Sequence, residues 1–327
     1  MTDFKENKPS RDSDFHIALL KERGLIITLE DEIEIKVYLN KIGYYRLSGY
    51  FGPLQNPKDS FKPGKTFKDI IRLYEFDKQL RVITSYAVKS IEIKLKSYIT
   101  DLMSLKYEST WYSDSALFYK RTKKDIIKMP YIDGDEIKYQ QQEKEFDLYK
   151  LLIEKINDSI SKNSEKAYIR KFKDNYGSTA IVPSWMMMEC ISFGALSKLY
   201  SLMVLDGTTR KIAKDFGCPV SETFNSWLHG FVVLRNHCAH HARLWNIRPA
   251  KDLQFPKRDV HRFHTANDSN THLFYGIGCC LLQVLKTIDE ELYIHYKTHV
   301  KQLMLDYGID KKAMGFPMDL DPWDVWN

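Results

Sequence analysis

The stretch TFKDIIRLYEFDKQLRVITSYAVKSIEIKLKSYITDLMSL (66–105) decides the fold class. It holds no Gly and no Pro. Thr66 followed three positions later by Asp69 has the form of a capped helix start. Apolar side chains then recur at helical spacing: Ile70, Leu73, Tyr74, Leu80, Ile83, Ala87, Ile91, Leu95, Tyr98 and Leu102. The spacing predicts a long amphipathic helix over 67–105, either continuous or broken once. The rest of a chain built on such a helix is expected to pack other helices against it.

The flanks agree. Residues 1–15 read as a flexible polar arm. Residues 16–40 carry Ile17, Leu20, Ile33 and Val37 at helical spacing. KIGYYRLSGYFGPL (41–54), rich in Gly and Tyr, is expected to form a tight, partly buried turn that ends at Pro53. Residues 120–148 change character: charge is dense, Pro130 and Gly134 punctuate, and the segment reads as a charged insertion or loop with short helical pieces. Helices are expected again over about 147–174, 184–205, from Ser221 onward and over 271–306. Residues 311–327 read as an irregular tail whose tryptophans can dock on the body. No series of alternating apolar runs is evident, so strands are not expected. The expectation is an all-α chain with one helical domain over 16–310.

Composition fits a folded domain. Hydrophobic residues make up 43% and charged residues 28% of the 327 residues, which supplies a core and excludes a disordered chain. The net charge of +6 permits a polyanionic partner without requiring one. The five cysteines are irregularly spaced, which argues against a disulfide framework and a cysteine-rich zinc site and fits reduced thiols in a cytoplasmic protein. MTDFKENKPSRDSDF has no apolar signal core. The longest apolar run, LFYGIGCCLLQVL (273–285), is too short to span a bilayer and reads as a core helix, so no membrane association is expected.

Chemistry concentrates in RNHCAHHARLWN (235–246). On one ideal helix over 222–246, Phe224, Trp227, Leu228, Phe231, Val232, Cys238, Ala239, Ala242 and Trp245 share an apolar arc. His229, Asn236, His240 and Arg243 share a polar one, and His237 and His241 lie at a further edge. Arg235 points into the apolar arc. A bend there, a buried carboxylate partner, or a cleft that needs a cation would each accommodate it.

Three chemical readings compete with a plain buried helix. His237 and His241 have the spacing of half a zinc site, but no acidic residue accompanies them and two arginines oppose a cation. Cys238 near His and Arg could be an activated thiolate, but its arc is that of a small core residue. Phosphodiester cleavage by a 2′-hydroxyl needs proton transfers, which histidine performs near neutrality, and an anion clamp, which arginine supplies. Arg235, Asn236 and His240 provide these groups in one R-N-x-x-x-H unit, with no metal or other cofactor required.

RNHCAHHARLWN resembles the signature of the Abi-like abortive-infection proteins, the AbiD/AbiF group, within the wider HEPN superfamily. Other segments match in order: YYRLSGYFGPL (44–54), LYEFDKQLR (73–81) with IEIKLKSYI (91–99), PSWMMMECISFGALSKLY (183–200), and MGFPMDLDPW (314–323). The resemblance implies a HEPN-type helical bundle, here with an added N-terminal helical region and the charged insertion. It implies a metal-independent endoribonuclease of phage defence that leaves 2′,3′-cyclic phosphate and 5′-OH ends. Arg235, Asn236 and His240 would carry catalysis, with His237, His241 and Arg243 as accessory residues. A single copy of the motif implies a homodimer with a composite site. RNA is the expected partner, including a small non-coding RNA, and Lys120, Arg121, Lys123, Lys124, Arg170, Lys171 and Lys173 are candidate RNA contacts. The alternative is a non-catalytic RNA- or protein-binding module. One departure sits at the motif's edge: Ile247 stands where similar sequences often carry an arginine, and Arg248 follows.

Overall fold

The computed structural model describes residues 9–133, 136–246, 253–256, 274–317 and 325–327. Among them are twelve α-helices and one pair of strands. The architecture is a predominantly helical bundle, as the sequence predicts.

Helix α4, Phe67–Lys106, is its axis. It runs unbroken for 40 residues, about 60 Å at 1.5 Å per residue. The predicted cap is present: the Thr66 N–H donates to Asp69 Oδ2 at 2.9 Å. Its inner face buries Ile70, Leu73, Phe76, Leu80, Ala87, Ile91, Leu95 and Met103. Each apolar side chain so buried stabilises the fold by roughly 1.5–3 kcal/mol. Two polar residues lie on that same face, Asp77 and Arg81, and both are buried.

The N-terminal region forms α1 (Ser13–Glu22), α2 (Leu29–Ile42) and the short α3 (Tyr44–Ser48). Helix α1 begins at Ser13, with the Asp12 carboxylate accepting the Phe15 N–H at 2.8 Å, so the last three residues of the expected flexible arm are helical. The expected turn over 41–54 contains α3, and its Leu47, Tyr50, Phe51 and Leu54 are buried.

The charged insertion differs from expectation. Strands β1 (Thr122–Asp133) and β2 (Glu136–Asp147) pair antiparallel in register from Thr122↔Asp147 to Asp133↔Glu136. This is a hairpin, not a loop with helical pieces. The signal was the Gly134-Asp135 pair between two runs containing Ile, Tyr and Thr. Dense charge masked it, because the described side chains on both faces of the ribbon are largely exposed and no apolar alternation is needed.

Helices α5 (Leu148–Lys162) and α6 (Ala167–Tyr176) follow. The helix expected over 184–205 is two: α7 (Ser184–Cys190) and α8 (Phe193–Leu202). Ser192 is extended, and its hydroxyl accepts the Ala195 N–H at 3.3 Å, which starts a new helix. Next come α9 (Gly207–Asp215) and α10 (Ser221–Ala239). The stretch expected as one helix over 271–306 also divides, into α11 (Phe274–Ile288) and α12 (Glu290–Asp306). Asp289 leaves helical geometry and caps α12 through the Leu292 N–H at 3.0 Å. Helix α11 is buried on nearly every side, as a core helix should be. Among the described residues no helix is long and apolar enough to cross a membrane.

The tail docks on this core. Trp326 is fully buried, its ring 5.0 Å from that of Phe316 and 6.4 Å from that of Tyr296. Gly278 on α11 makes room for it: a Cβ there would meet the indole at 2.7 Å. Trp323 lies outside the described residues.

Candidate active site

Helix α10 carries the motif. Phe224, Trp227, Leu228, Phe231, Leu234 and Cys238 recur every three or four residues and are buried. They face α4, α8, α9 and α11. At Gly230 the packing is closest, since a Cβ would meet Ile277 Cδ1 at 2.5 Å and Leu253 Cδ2 at 2.9 Å. The inner face is therefore fixed, and with it the direction of the outer one.

The helix ends earlier than an ideal helix through residue 246. The His240 N–H still donates to the Asn236 carbonyl at 2.9 Å. The His241 N–H then donates to Cys238 O at 3.2 Å and the Ala242 N–H to His237 O at 2.8 Å. This is a Schellman turn, which satisfies the last helical carbonyls. The residue in the left-handed position is His241, with φ +53°, where glycine is usual. Beyond it the chain turns away from the helix axis, so Arg243 and Trp245 do not continue its arcs.

The turn separates the sequence candidates into two groups. Arg235 is half-buried, and Asn236 and His240 are exposed, so all three reach solvent at the C-terminal end of α10. Arg235 Nη1 lies 3.4 Å from Asn236 Oδ1. The guanidinium is thus at a surface edge, not in the core. His237 and Arg243 take part in holding the turn through their side chains and His241 through its backbone, although His241 and Arg243 are also exposed. His237 Nδ1 is 3.2 Å from the Arg243 carbonyl, a bond made when Nδ1 carries the proton. The Arg243 guanidinium donates to the Gly49 carbonyl, and Arg46 donates to the His241 carbonyl at 2.5 Å. With His241 beyond the helix, His237 and His241 no longer have the one-face i, i+4 geometry of a zinc half-site.

Cys238 is buried, and burial pushes its thiol up to about 12. A thiol of that kind stays protonated at neutral pH and is a poor nucleophile.

One residue that the sequence reading passed over organises the end of the motif. Asp77 of α4 is 0% exposed. Its Oδ1 accepts the N–H groups of Leu244 at 2.9 Å and Trp245 at 2.5 Å. Its Oδ2 accepts the Tyr50 hydroxyl at 2.7 Å and is paired with the Arg81 guanidinium. Burial and the nearby carboxylate push the Tyr50 hydroxyl far up, so it remains a donor. Three separated segments, 44–54, 73–81 and 235–246, therefore meet on one carboxylate. The available signal was the placement of Asp77 and Arg81, four residues apart, on the apolar face of α4. A charged pair at such positions must be partnered internally.

The candidate RNA contacts fall in two other places. Lys120, Arg121, Lys123 and Lys124 lie at the base of the hairpin. Lys123 pairs with Asp125 at 2.8 Å and Lys124 with Glu143 at 2.7 Å. Arg121 reaches a cleft of about 580 Å³ along α10, which Lys198, Glu222, Asn225 and His229 also line. Arg170, Lys171 and Lys173 are on α6, where Lys173 Nζ donates to the carbonyls of Ser178 and Ala180 and closes the following turn. Among the described residues no hydrogen bond or ion pair joins either cluster to Arg235, Asn236 or His240. Arg248, at the motif's outer edge, lies outside the described residues.

Comparison with curated proteins finds no match, and comparison with solved structures finds none either. A family model described as Abi-like protein matches residues 37–246, almost two thirds of the chain. The matched span takes in Tyr50, Asp77, Arg81 and all of α10, and it closes on the turn that they hold. The chain belongs to the Abi-like protein family.

Proposed function

We propose that this chain is a metal-independent endoribonuclease of abortive-infection phage defence, of HEPN type, acting as a homodimer. Arg235 neutralises the scissile phosphate, His240 transfers protons, and Asn236 orients the arginine or the substrate. The attacking group is the RNA's own 2′-hydroxyl, and the products are 2′,3′-cyclic phosphate and 5′-OH ends. Each protomer carries one R-N-x-x-x-H unit. Two units facing each other across a dimer axis supply an acid, a base and two guanidinium groups to one phosphate.

The observation that carries this reading is the sorting of side chains at the end of α10. Arg235, Asn236 and His240 reach solvent at the last turn of α10, with Arg235 beside Asn236, while the side chains of His237 and Arg243 and the backbone of His241 hold the turn that follows. A surface end held to the core through Asp77 is a rigid base for a catalytic pair.

The test is cleavage of total RNA in EDTA by wild type, Arg235→Ala and His240→Ala proteins, with product ends identified. Wild type is expected to cut and leave cyclic phosphate ends, and both variants to lose at least about a hundredfold in rate. Cleavage by both variants at the wild-type rate would sink the assignment. RNA binding without cleavage by any of the three, unaffected by His240→Ala, would favour a binding module.

A further inference from the structure

A second cleft adjoins the end of α10. It lies between α2, α3 and α4, has a volume of about 700 Å³, and is lined by Cys238 and His241 on the motif side. Its other walls carry Lys41, Arg46, Lys78, Lys89 and Tyr86, together with the buried Arg81. None of its lining residues is acidic. Three other clefts on the surface each include a carboxylate: Glu222 beside α10, Asp174 beside α6, and Asp31 beside α2. Concentrated positive charge in a concavity without carboxylates is the physical signature of an anion site.

The partners of these cations sharpen the point. Lys78 is paired with Glu75 at 2.9 Å, and Arg81 with Asp77. Arg46 gives a hydrogen bond to the His241 carbonyl, a neutral group, so its charge is not compensated. Among the described residues no ion pair neutralises Lys41 or Lys89, and both are exposed. Along α4 the lining residues Lys78, Val82, Tyr86 and Lys89 fall on one face over three turns, about 16 Å. Tyr86 is 62% exposed, an aromatic face open to solvent between cations.

Cations interleaved with an exposed aromatic ring suit a chain of phosphates whose bases are free to stack. That is single-stranded RNA, because the bases of a duplex are already stacked on one another. We infer that this cleft binds single-stranded RNA: Lys41, Arg46 and Lys89 hold its phosphates, and a base stacks on Tyr86. The inference rests on the endoribonuclease reading and extends it, since RNA lying here passes Cys238 and His241 and reaches the end of α10 beside His240. The cleft also differs in place from the candidate contacts on the hairpin and on α6.

The test is binding of a labelled 2′-O-methyl oligoribonucleotide of about 12 nucleotides. Without a free 2′-hydroxyl it cannot be cut. Affinity is measured by fluorescence anisotropy across a salt series for wild type, Lys41→Ala/Lys89→Ala, Tyr86→Ala and His240→Ala. The double lysine variant is expected to bind at least tenfold more weakly, and its log–log salt slope to fall by about 1.4, two phosphate contacts at about 0.7 each. Tyr86→Ala is expected to lose about tenfold with its slope unchanged. His240→Ala is expected to bind like wild type, which keeps loss of cleavage separate from loss of binding. Wild-type affinity and slope in the lysine variant would overturn the inference and leave the active-site reading intact, as would absence of wild-type binding. Equal binding of adenosine monophosphate would overturn it in favour of a nucleotide pocket, and equal competition by a polyglutamate peptide in favour of an acidic protein.

Discussion

Asp77 and Trp245 stand 168 residues apart in the chain and are joined by one hydrogen bond, from the Trp245 N–H to Asp77 Oδ1 at 2.5 Å. With the Leu244 N–H on the same oxygen, this contact fastens the segment after α10 to the N-terminal third of α4. The carboxylate also faces Arg81, so removing it has two consequences. Arg81, 6% exposed, becomes an unpaired buried cation, and two backbone donors and the Tyr50 hydroxyl lose their acceptor.

Asp77→Ala is therefore expected to destabilise the protein by about 3–5 kcal/mol, the usual consequence of breaking a buried pair from one side. Removing both partners together, as Asp77→Leu with Arg81→Leu, leaves no stranded charge and is expected to be less damaging than the single change. Urea unfolding midpoints of the three proteins measure this. A single variant within 1 kcal/mol of wild type would show that the pair does not anchor the turn.

The fold class was legible because α4 and α10 keep strict apolar periodicity, and the core they bury follows from it. Helix ends were less legible. Ser192 and Asp289 lie within stretches whose helical spacing reads as continuous, and their capping role emerges only when the chain leaves helical geometry. At the site, the trio Arg235, Asn236 and His240 was visible as a pattern of residue types. Its separation from His237, His241 and Arg243 was not, because that depends on a Schellman turn built on a histidine, for which no glycine gives notice. Asp77 was hidden for a different reason: Arg81 is its neighbour on the same helix face, but its partners at 50, 244 and 245 meet it only in three dimensions.

Cys238 offers a check on the turn's inner side. Burial raises its thiol to about 12, so the thiolate is a minute fraction below pH 8 and grows only as pH approaches that value. The native protein is expected to resist iodoacetamide at Cys238 at neutral pH and to react there once unfolded in urea. Mass spectrometry of labelled peptides reads this directly. Rapid native labelling at Cys238, with loss of RNA cleavage, would revive the thiol as a reactive group.

The hairpin is expected to be separable from the fold. Its described side chains are mostly exposed, and its two ends meet at the body, where the Leu148 N–H donates to the Arg121 carbonyl at 2.9 Å. Replacing residues 124–145 by a two-residue Asn-Gly turn leaves Thr122 opposite Asp147 and Lys123 opposite Phe146. The shortened protein is expected to unfold within about 1 kcal/mol of wild type, since surface elements without core contacts contribute little. A large loss of stability would mean that the ribbon packs on the body. A loss of RNA affinity at unchanged stability would instead assign Lys124 and its neighbours to substrate binding.

His241 provides the most pointed test of the turn. Its φ of +53° lies in the left-handed region, which costs a residue with a Cβ about 1–2 kcal/mol relative to glycine. Glycine gives back part of that through its greater freedom in the unfolded chain, by roughly 0.5–1 kcal/mol. The His241→Gly protein is therefore expected to be more stable by up to about 1.5 kcal/mol, seen as a rise in Tm of a few degrees at most. The bond from Arg46 is to the His241 backbone carbonyl, so the substitution leaves it in place. If His241→Gly instead lowers stability, the imidazole holds the turn through contacts that outweigh the backbone strain. If stability rises while RNA cleavage falls, the strained residue is retained for function, which is where strained backbone conformations concentrate.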